Sequence, residues 1–270
     1  MIVLPADISA AEITDISHLN PTYSKPPVVT PQIEDLNEIA RLLNESKKIT
    51  IYAGYGAKDA RNEVISLAKK LKAPIAHTSR AKMYIEWDNP YNVGMTGTLG
   101  LYSGYKAIKS CEIMLILGAD FAWSSFYPEH ANIIQIDINS SKLGLRHSIK
   151  KGVIGDVKYT VAELLKLVTE KEDSKFLNEM TTLHDKSVSE FNKKAISKDA
   201  DLIHPQYLVS LLSKHAQDDA IFTGDSGSPF AWALHGIKSN GRREFLSSLK
   251  TWNGGKCHTT GTGAESWISW

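Results

Sequence analysis

The sequence has 270 residues, 42% hydrophobic and 23% charged, with a formal net charge of +1, which is typical of a soluble globular protein with one large or two ordinary domains. The near-zero charge gives no support for a general nucleic-acid or membrane-surface binder, and two cysteines provide no disulfide framework. Without a signal-peptide pattern or an apolar run of roughly twenty residues, we expect a cytoplasmic location.

The first 172 residues predict mainly one α/β domain. Residues 1–4 predict a short buried strand, and the proline-rich segment 20–31 predicts a linker between domains. Apolar runs then predict strands at 48–54, 74–79, 112–118, 132–138 and 151–156. Helical periodicity predicts helices at 33–46, 58–71, 101–111 and 157–170. This alternation favours a doubly wound, Rossmann-like parallel sheet over residues 25–172.

The rest of the chain predicts the start of a second α/β unit. The charged stretch 170–200 predicts a surface helix and a linker. Beyond it, helices are predicted at 205–217 and 229–237, and strands at 219–224 and 244–249. Two strands are too few for a sheet covered on both faces, so residues 173–250 are predicted to form an incomplete domain.

Glycines mark the first strand–helix turn. Gly54 and Gly56 lie where a phosphate-binding loop would need close backbone approach. The third glycine of the dinucleotide fingerprint is missing, and the next strand ends in His77 and Thr78 rather than an acidic residue, which disfavours a standard NAD site. The pair therefore predicts either a phosphate loop or a tight turn without a ligand.

Two further strand ends suit a nucleotide, because ligands of open α/β sheets bind at the carboxyl ends of the strands. Residues 118–121 follow one predicted strand, and Asp137 lies at the end of the next. The Asp137 carboxylate could accept hydrogen bonds from ribose hydroxyls, or it could cap the following turn. The sequence leaves both roles open.

The string GDSGSP at 224–229 resembles the nucleophile motif of trypsin-like proteases. A helix-rich chain does not fit their all-β fold, so a loop that caps a helix facing a diphosphate is the better interpretation. His77, His147, His204 and His215 lack metal-ligand spacing, and we expect surface or capping roles for them. We predict no catalytic residue and no metal ligand in this chain.

Longer phrases resemble a known family. DNPYNVGMTGTLG (88–100), LILGADFAWSSFYP (115–128) and IIQIDINSSKLGLRHS (133–148) resemble the middle domain of pyruvate oxidases, of the thiamine-diphosphate family that includes acetolactate synthase. IHPQYL (203–208) and DAIFTGDSGSPFAWAL (219–234) resemble the start of that family's diphosphate-binding domain. Residues 115–128 favour the pyruvate-oxidising branch, with an acetolactate synthase-type member as the alternative.

The resemblance implies FAD on the middle domain. The flavin or its ribityl chain would be lined by Thr96, Gly97, Thr98 and Leu99. The diphosphate and adenosine would be surrounded by Ala119, Asp120, Phe121, Ala122 and Trp123. Asp137 would hold the adenosine ribose, and Gly54 and Gly56 would allow close backbone approach. Ser226 and Gly227 would approach thiamine diphosphate.

The implied activity is oxidative decarboxylation of pyruvate with thiamine diphosphate and Mg²⁺, the electrons passing to FAD and then to quinone or oxygen. Intact relatives are expected to be homotetramers, and the quinone-reducing ones associate peripherally with the membrane. Residues 1–24 would be a remnant of the pyrimidine-binding domain and its linker. The Gly-Asp-Gly and Asn-Asn motifs that hold magnesium in this family do not occur in the sequence. We therefore expect this polypeptide alone to be inactive unless a chain carrying the missing domains complements it; the alternative is a non-catalytic module for FAD or another adenine nucleotide.

The last twenty residues, 251–270, differ from the rest: they are glycine-rich and hold Trp252, Trp267 and Trp270. Back-translated and read one base later, they permit His-Gly-Thr/Met-Ala-Asn-Ala-Ile-Pro-Gln-Ala-Leu-Gly, which resembles the usual continuation of the family. We interpret the tail as the product of a one-base frameshift in the gene or in the reported sequence.

Overall fold

The structure, a computed structural model, describes residues 5–12, 25–194, 203–224 and 227–246. The predicted strand at 1–4, the site residue Ser226 and the unusual tail 251–270 lie outside the described residues.

A six-stranded, fully parallel sheet forms the centre of the fold. Its strands are β1 Ile49–Ala53, β2 Ile75–His77, β3 Asn92–Met95, β4 Ile113–Leu117, β5 Asn132–Asp137 and β6 Lys151–Ile154. Their order across the sheet is β3-β2-β1-β4-β5-β6, the order of doubly wound sheets that bind nucleotides between their two halves. The predicted doubly wound, Rossmann-like α/β fold is confirmed.

Helices precede the first strand, connect several of the strands and follow the last strand of the sheet. They are α1 Ala6–Ser9, α2 Ile33–Glu45, α3 Arg61–Leu71, α4 Lys82–Ile85, α5 Tyr102–Lys109, α6 Val157–Leu167, α7 Lys175–Lys194, α8 Pro205–His215 and α9 Ser228–Gly236. The predicted helices form within a few residues of their expected limits. Helix α3 begins at Arg61 rather than at 58, because a 3-10 turn over Tyr55–Ala57 comes first.

The sheet is buried on both faces, which explains its continuous apolar strands. Ile113 and Leu115 of β4 belong to the core under α2, α3 and α6. The alternate residues Met114 and Ile116 belong to the core under α5 and α7. This alternation follows from the two-residue period of a strand.

Three features differ from the sequence-based expectation. Strand β3 and the short helix α4 form inside a stretch predicted to be irregular. The charged segment forms a helix as expected, but its first turns are not simply surface: Phe176 and Met180 of α7 are buried in the core beside α5. The apolar residues at its start, rather than its charges, decide where this helix lies.

The C-terminal unit is small. Strands β7 Ile221–Thr223 and β8 Glu244–Leu246 pair in parallel, with α8 and α9 packed together beside them. Phe230 and Leu234 of α9 are buried against Met95 of β3, so this unit contacts the end of the large sheet. No helix among residues 5–12, 25–194, 203–224 and 227–246 is both long and apolar enough to cross a membrane.

Candidate nucleotide site at the carboxyl rim of the sheet

The loops that follow β1, β3, β4 and β5 emerge at one end of the sheet, since the strands are parallel. We call this end the rim: Gly54–Gly56, Thr96–Leu99, Gly118–Trp123 and Asp137. Except for Ser226 and Gly227, the predicted site residues all lie on the rim.

At the switch point of the sheet, the loops after β1 and β4 contact each other through their backbones. The Gly54 amide donates to the Leu117 carbonyl at 2.9 Å, and the Gly56 amide donates to the Gly118 carbonyl at 3.0 Å. A Cβ atom on Gly54 would lie 2.2 Å from the Gly118 carbonyl oxygen. The close approach that these glycines permit is therefore to the chain's own backbone. The geometry is that of the tight turn, one of the two interpretations that the sequence left open. The other interpretation, a phosphate-binding loop, stays a prediction.

The loop after β3 reaches the loop after β4. Gly97 has a φ of +99°, a conformation that favours glycine, and a Cβ there would lie 3.2 Å from the Phe121 ring. Thr98 is exposed, whereas Leu99 packs against the apolar cluster that includes Phe230 of α9. The loop thus lies between the rim and the C-terminal unit.

The segment after β4 alternates between buried and exposed side chains. Phe121 is 3% exposed, with its ring 5.1 Å from that of Tyr52 and 5.8 Å from that of Trp123. Ala119 is buried, Ala122 is exposed and the Trp123 side chain is half-exposed. Phe121 is therefore a core residue beneath the rim, and Trp123 is the aromatic residue of this segment that a planar ligand can reach.

Two carboxylates lie near each other at the ends of β4 and β5. Asp137 is buried, and its Oδ1 accepts a 2.8 Å hydrogen bond from the Asn139 amide, so the capping role left open by the sequence is present. Burial raises the pKa of Asp137, and the charge of Asp120 adds to the effect. A ribose ligand would have to share this carboxylate with the turn.

Asp120 is paired with two cations that the sequence analysis did not single out. Its carboxylate lies 2.7 Å from both Lys142 Nζ and Arg146 Nε. The hydrogen bond from Arg146, reinforced by Lys142, lowers the pKa of Asp120 to about 2. Both cations follow Asp137 within the IIQIDINSSKLGLRHS phrase, so a basic side chain soon after a strand-end carboxylate was the available signal.

Several polar atoms beside the rim are buried without a hydrogen-bond partner in the described part of the chain. They are Thr78 Oγ1 after β2, Thr96 Oγ1 after β3, and Tyr52 Oη beneath Phe121. Because leaving a buried polar atom unpaired costs about 1–3 kcal/mol, such atoms call for an explanation, of which a bound ligand is one.

The expectation for His77 is wrong: it is fully buried rather than at the surface or capping a helix. Its Nε2 lies 3.5 Å from Glu86, which also pairs with Lys82 and accepts a hydrogen bond from Ser239. Burial opposes the charge of Glu86, but Lys82 and His77 outweigh it and lower the pKa of Glu86 to about 2.

His204, in contrast, accepts from the Gln206 amide at the start of α8, which confirms a capping role.

The C-terminal unit supplies one of the two residues predicted to approach thiamine diphosphate. Gly227 immediately precedes α9 and has a φ of +128°, and Ser226 lies outside the described residues. Within the ranges that the structure describes, no three His, Cys, Asp or Glu side chains come together as a metal site would require.

The fold and the rim define a doubly wound α/β domain of the nucleotide-binding architecture, with the convergent loops at its switch point. Residues 36–164 match the family described as "Thiamine pyrophosphate enzyme, central domain". This part of the chain is therefore similar to the central domain of thiamine pyrophosphate enzymes, and the chain has homologues in that family.

Three relatives illustrate the range of similarity. The chain is 39% identical over 183 residues to an uncharacterised 42.6 kDa protein of Pseudomonas amyloderamosa, covering 66% of this chain and 45% of that one. It is 31% identical over 232 residues to the putative thiamine pyrophosphate-containing protein YdaP of Bacillus subtilis, an alignment that covers 84% of this chain and 40% of YdaP. It is 24% identical over 209 residues to the pyruvate oxidase of Lactiplantibacillus plantarum, an alignment that covers 76% of this chain and 34% of the oxidase. Acetolactate synthase large subunits also match. The chain thus spans less than half the length of these relatives.

Proposed function

We propose that this chain is part of a thiamine diphosphate- and FAD-dependent enzyme of the pyruvate oxidase type, and that its central domain holds FAD at the rim. The observation that carries the proposal is that the loops after β3, β4 and β5 meet, beside Thr78 and Thr96 hydroxyls that are buried without a hydrogen-bond partner among the described residues. Convergent loops with a few polar groups are the usual form of a dinucleotide site.

The residues of the rim fit the parts of a flavin dinucleotide. Thr96 to Leu99 offer a buried hydroxyl and loop backbone, which suits the flavin end. The family resemblance assigns Trp123 to the diphosphate and adenosine, but its half-exposed ring lies beside Gly97, so we propose that it contacts the flavin. Asp137 would hold the ribose, and Lys142 and Arg146, which both pair with Asp120, bring cationic hydrogen-bond donors to the same edge, which suits a diphosphate. In the complete enzyme, FAD would accept the electrons released when pyruvate is decarboxylated with thiamine diphosphate and Mg²⁺, and would pass them to quinone or oxygen.

The 270-residue polypeptide by itself is proposed to be inactive, since its sequence contains neither the Gly-Asp-Gly nor the Asn-Asn motif expected to hold magnesium. Activity would then need residues that supply these motifs, within the homotetramer that the family resemblance implies.

An acetolactate synthase-type member is the second candidate. An acetolactate synthase large subunit from Cyanidium caldarium is 27% identical over 254 residues, a longer alignment than that with pyruvate oxidase. A third candidate, a non-catalytic module that binds FAD or another adenine nucleotide, would use the same rim. Pyruvate-dependent dye reduction, as opposed to acetolactate formation, separates the two enzymes in an assay supplied with thiamine diphosphate and Mg²⁺.

The decisive test of the site is flavin retention by the purified chain. Protein is incubated with FAD, desalted, and its flavin absorbance and fluorescence are recorded for the wild type, Asp137→Asn and Asp173→Asn. The two aspartates have the same local role: Asp137 accepts from the Asn139 amide at 2.8 Å and Asp173 from the Lys175 amide at 2.9 Å. Only Asp137 lies on the rim.

We expect the wild type and Asp173→Asn to retain flavin alike. Asp137→Asn should bind it at least tenfold more weakly, because losing a charged hydrogen bond of about 1.5–3 kcal/mol lowers affinity by that order. A folded wild type that retains no flavin contradicts the FAD site. Equal loss in both variants contradicts the role of Asp137.

A further inference from the structure

His184, in the middle of α7, contacts both sides of the loop after β3. Its Nε2 lies 3.4 Å from Asn92 Nδ2 on β3, and its Nδ1 lies 3.2 Å from Ser103 Oγ at the start of α5. A Cβ on Gly94 would lie 3.2 Å from the imidazole Cε1, so the ring is packed on the strand backbone itself. One side chain from a distant helix thus joins the strand that enters the Thr96–Leu99 loop to the helix that leaves it.

The directions of the hydrogen bonds assign one protonation state to this imidazole. The Gly94 amide donates to Asn92 Oδ1 at 3.0 Å, which turns the Asn92 NH₂ group towards His184. Nε2 must therefore accept, and a neutral ring then carries its proton on Nδ1. That proton points at Ser103 Oγ, whose own hydroxyl donates to the Val93 carbonyl at 2.8 Å. A second proton on Nε2 would face the amide NH₂ and leave two donors without an acceptor.

The charges around the ring do not compensate for this conflict. Glu86, which directly follows α4, and Asp185, next to His184 on α7, favour the protonated ring, whereas His77 of β2 and Lys82 of α4 disfavour it. Burial is the largest influence, and together these factors lower the pKa of His184 below that of a free histidine. The neutral form is therefore the one that fits between β3 and α5.

Other contacts also hold the loop after β3: the Thr96 amide donates to the His77 carbonyl at 3.3 Å, and Leu99 packs in the apolar cluster that includes Phe230. The ends of the loop are joined by the Leu101 amide, which donates to the Met95 carbonyl at 3.0 Å, and within it the Gly100 amide donates to the Gly97 carbonyl at 2.9 Å. Thr96 Oγ1 and the left-handed Gly97 lie just beyond the strand that His184 contacts. Loosening β3 from α5 would displace these groups first.

We propose that His184 is a positioning residue: its neutral imidazole fixes the Thr96–Leu99 loop against α5, and protonation of the ring releases the loop. The consequence for the bound molecule, weaker flavin binding at acidic pH, rests on the proposed function. The release of the loop does not.

The sign of the pH effect follows from the preference for the neutral ring. We call the loop closed when His184 contacts Asn92 and Ser103, and open when these contacts are broken. In the open state the pKa of the ring returns to the ordinary value of about 6.5, so the open state binds a proton more readily than the closed state. The closed state therefore keeps its full stability above pH 6.5 and becomes less stable relative to the open state as the pH falls below 6.5. At pH 5.5 the opening equilibrium is raised by up to about tenfold.

Hydrogen–deuterium exchange of the amides at 96–101, measured from pH 5.5 to 8 and corrected for the intrinsic pH dependence of exchange, tests the proposal. We expect corrected exchange in the wild type to rise by several-fold, up to the tenfold limit, at the acidic end. His184→Gln can keep one donor and one acceptor but cannot titrate, so its corrected exchange should not depend on pH. His215→Gln, which changes an exposed histidine on α8, should retain the wild-type dependence. A flat wild-type profile, or a dependence that persists in His184→Gln, would overturn the proposal.

A second measurement uses the wild type alone and so does not depend on the variant folding. Nitrogen-15 shifts of the imidazole should identify the Nδ1–H tautomer and a midpoint below 6.5; an Nε2–H tautomer with an ordinary midpoint would overturn the proposal. Repeating the exchange and an FAD titration at each pH separates the two claims. Absence of FAD binding at every pH with pH-dependent exchange contradicts the proposed function alone.

Discussion

Replacing Gly54 with alanine tests how the rim is built. The new Cβ would lie 2.2 Å from the Gly118 carbonyl oxygen and 2.4 Å from Ala119 Cα, and both are backbone atoms that cannot turn aside. Gly54 itself has a φ of −105°, which any residue adopts, so the cost of Gly54→Ala is steric and not conformational. The loop after β4 must withdraw from the loop after β1.

The structure gives the size of this effect. Overpacking a tight contact costs about 1–3 kcal/mol. Withdrawal of the loop also strains the hydrogen bonds donated by the Gly54 and Gly56 amides, each of which contributes about 1 kcal/mol. We therefore expect Gly54→Ala to lower the free energy of unfolding by about 3–5 kcal/mol.

Urea unfolding followed by tryptophan fluorescence measures this change, and Gly144→Ala is the matched control. Gly144 has a φ of +68°, but the nearest atoms to its Cβ position are 3.7 Å away, so its cost is conformational, about 1 kcal/mol. If Gly54→Ala unfolds within 1 kcal/mol of the wild type, or costs no more than Gly144→Ala, the steric account of the rim is refuted.

Three further predictions concern the partly buried Glu86 carboxylate, the ion pairs of Asp120 and the tail. The pKa of Glu86 is about 2 in the folded protein against an ordinary 4.5, so its contribution to the free energy of unfolding is present above pH 4.5 and is lost as the pH falls towards 2. In acid, the free energy of unfolding should therefore decline more in the wild type than in Glu86→Gln, and parallel declines in the two proteins would contradict this. Asp120→Asn removes a carboxylate that is one-third exposed and pairs with two cations. Because water and salt screen such pairs, the variant should change the free energy of unfolding by less than about 2 kcal/mol, and by less still at 1 M salt. Denaturant titration at two salt concentrations measures both changes. Sequencing the DNA across codons 249–252 should show the family's usual continuation in the frame that is read one base later, whereas an alternative frame without those codons would exclude the frameshift.

The sequence predicted the elements whose signal is local. The apolar runs at β1 and β4 are buried on both faces, and such runs are typical of central parallel strands. Strand β3 escaped prediction because its four residues, Asn92–Met95, are not a continuous apolar run and include Gly94 at a φ of +86°. It forms because β2 pairs with it, as in the hydrogen bond from the Ile75 amide to the Tyr91 carbonyl, and a tertiary partner is not visible in local sequence.

The candidate site likewise has a part that local sequence could predict and a part that depends on tertiary contacts. The strand-end positions of Asp137 and Gly54 follow from topology, so the sequence could place them at one edge of the sheet. It could not show that the space beside Gly54 is filled by the backbone of Gly118, because that depends on the φ of +59° at Gly118. Nor could it bring His184 from α7 to β3, since that contact joins segments 92 residues apart.

The central claim is that the loops after β3, β4 and β5 form one site for a flavin dinucleotide. A crystal structure of the chain grown with FAD tests it most directly. We predict density for the flavin beside Thr96–Leu99 and Trp123, with the adenosine ribose at Asp137. FAD bound elsewhere on the protein, or a rim that holds no ligand at saturating FAD, would contradict the account.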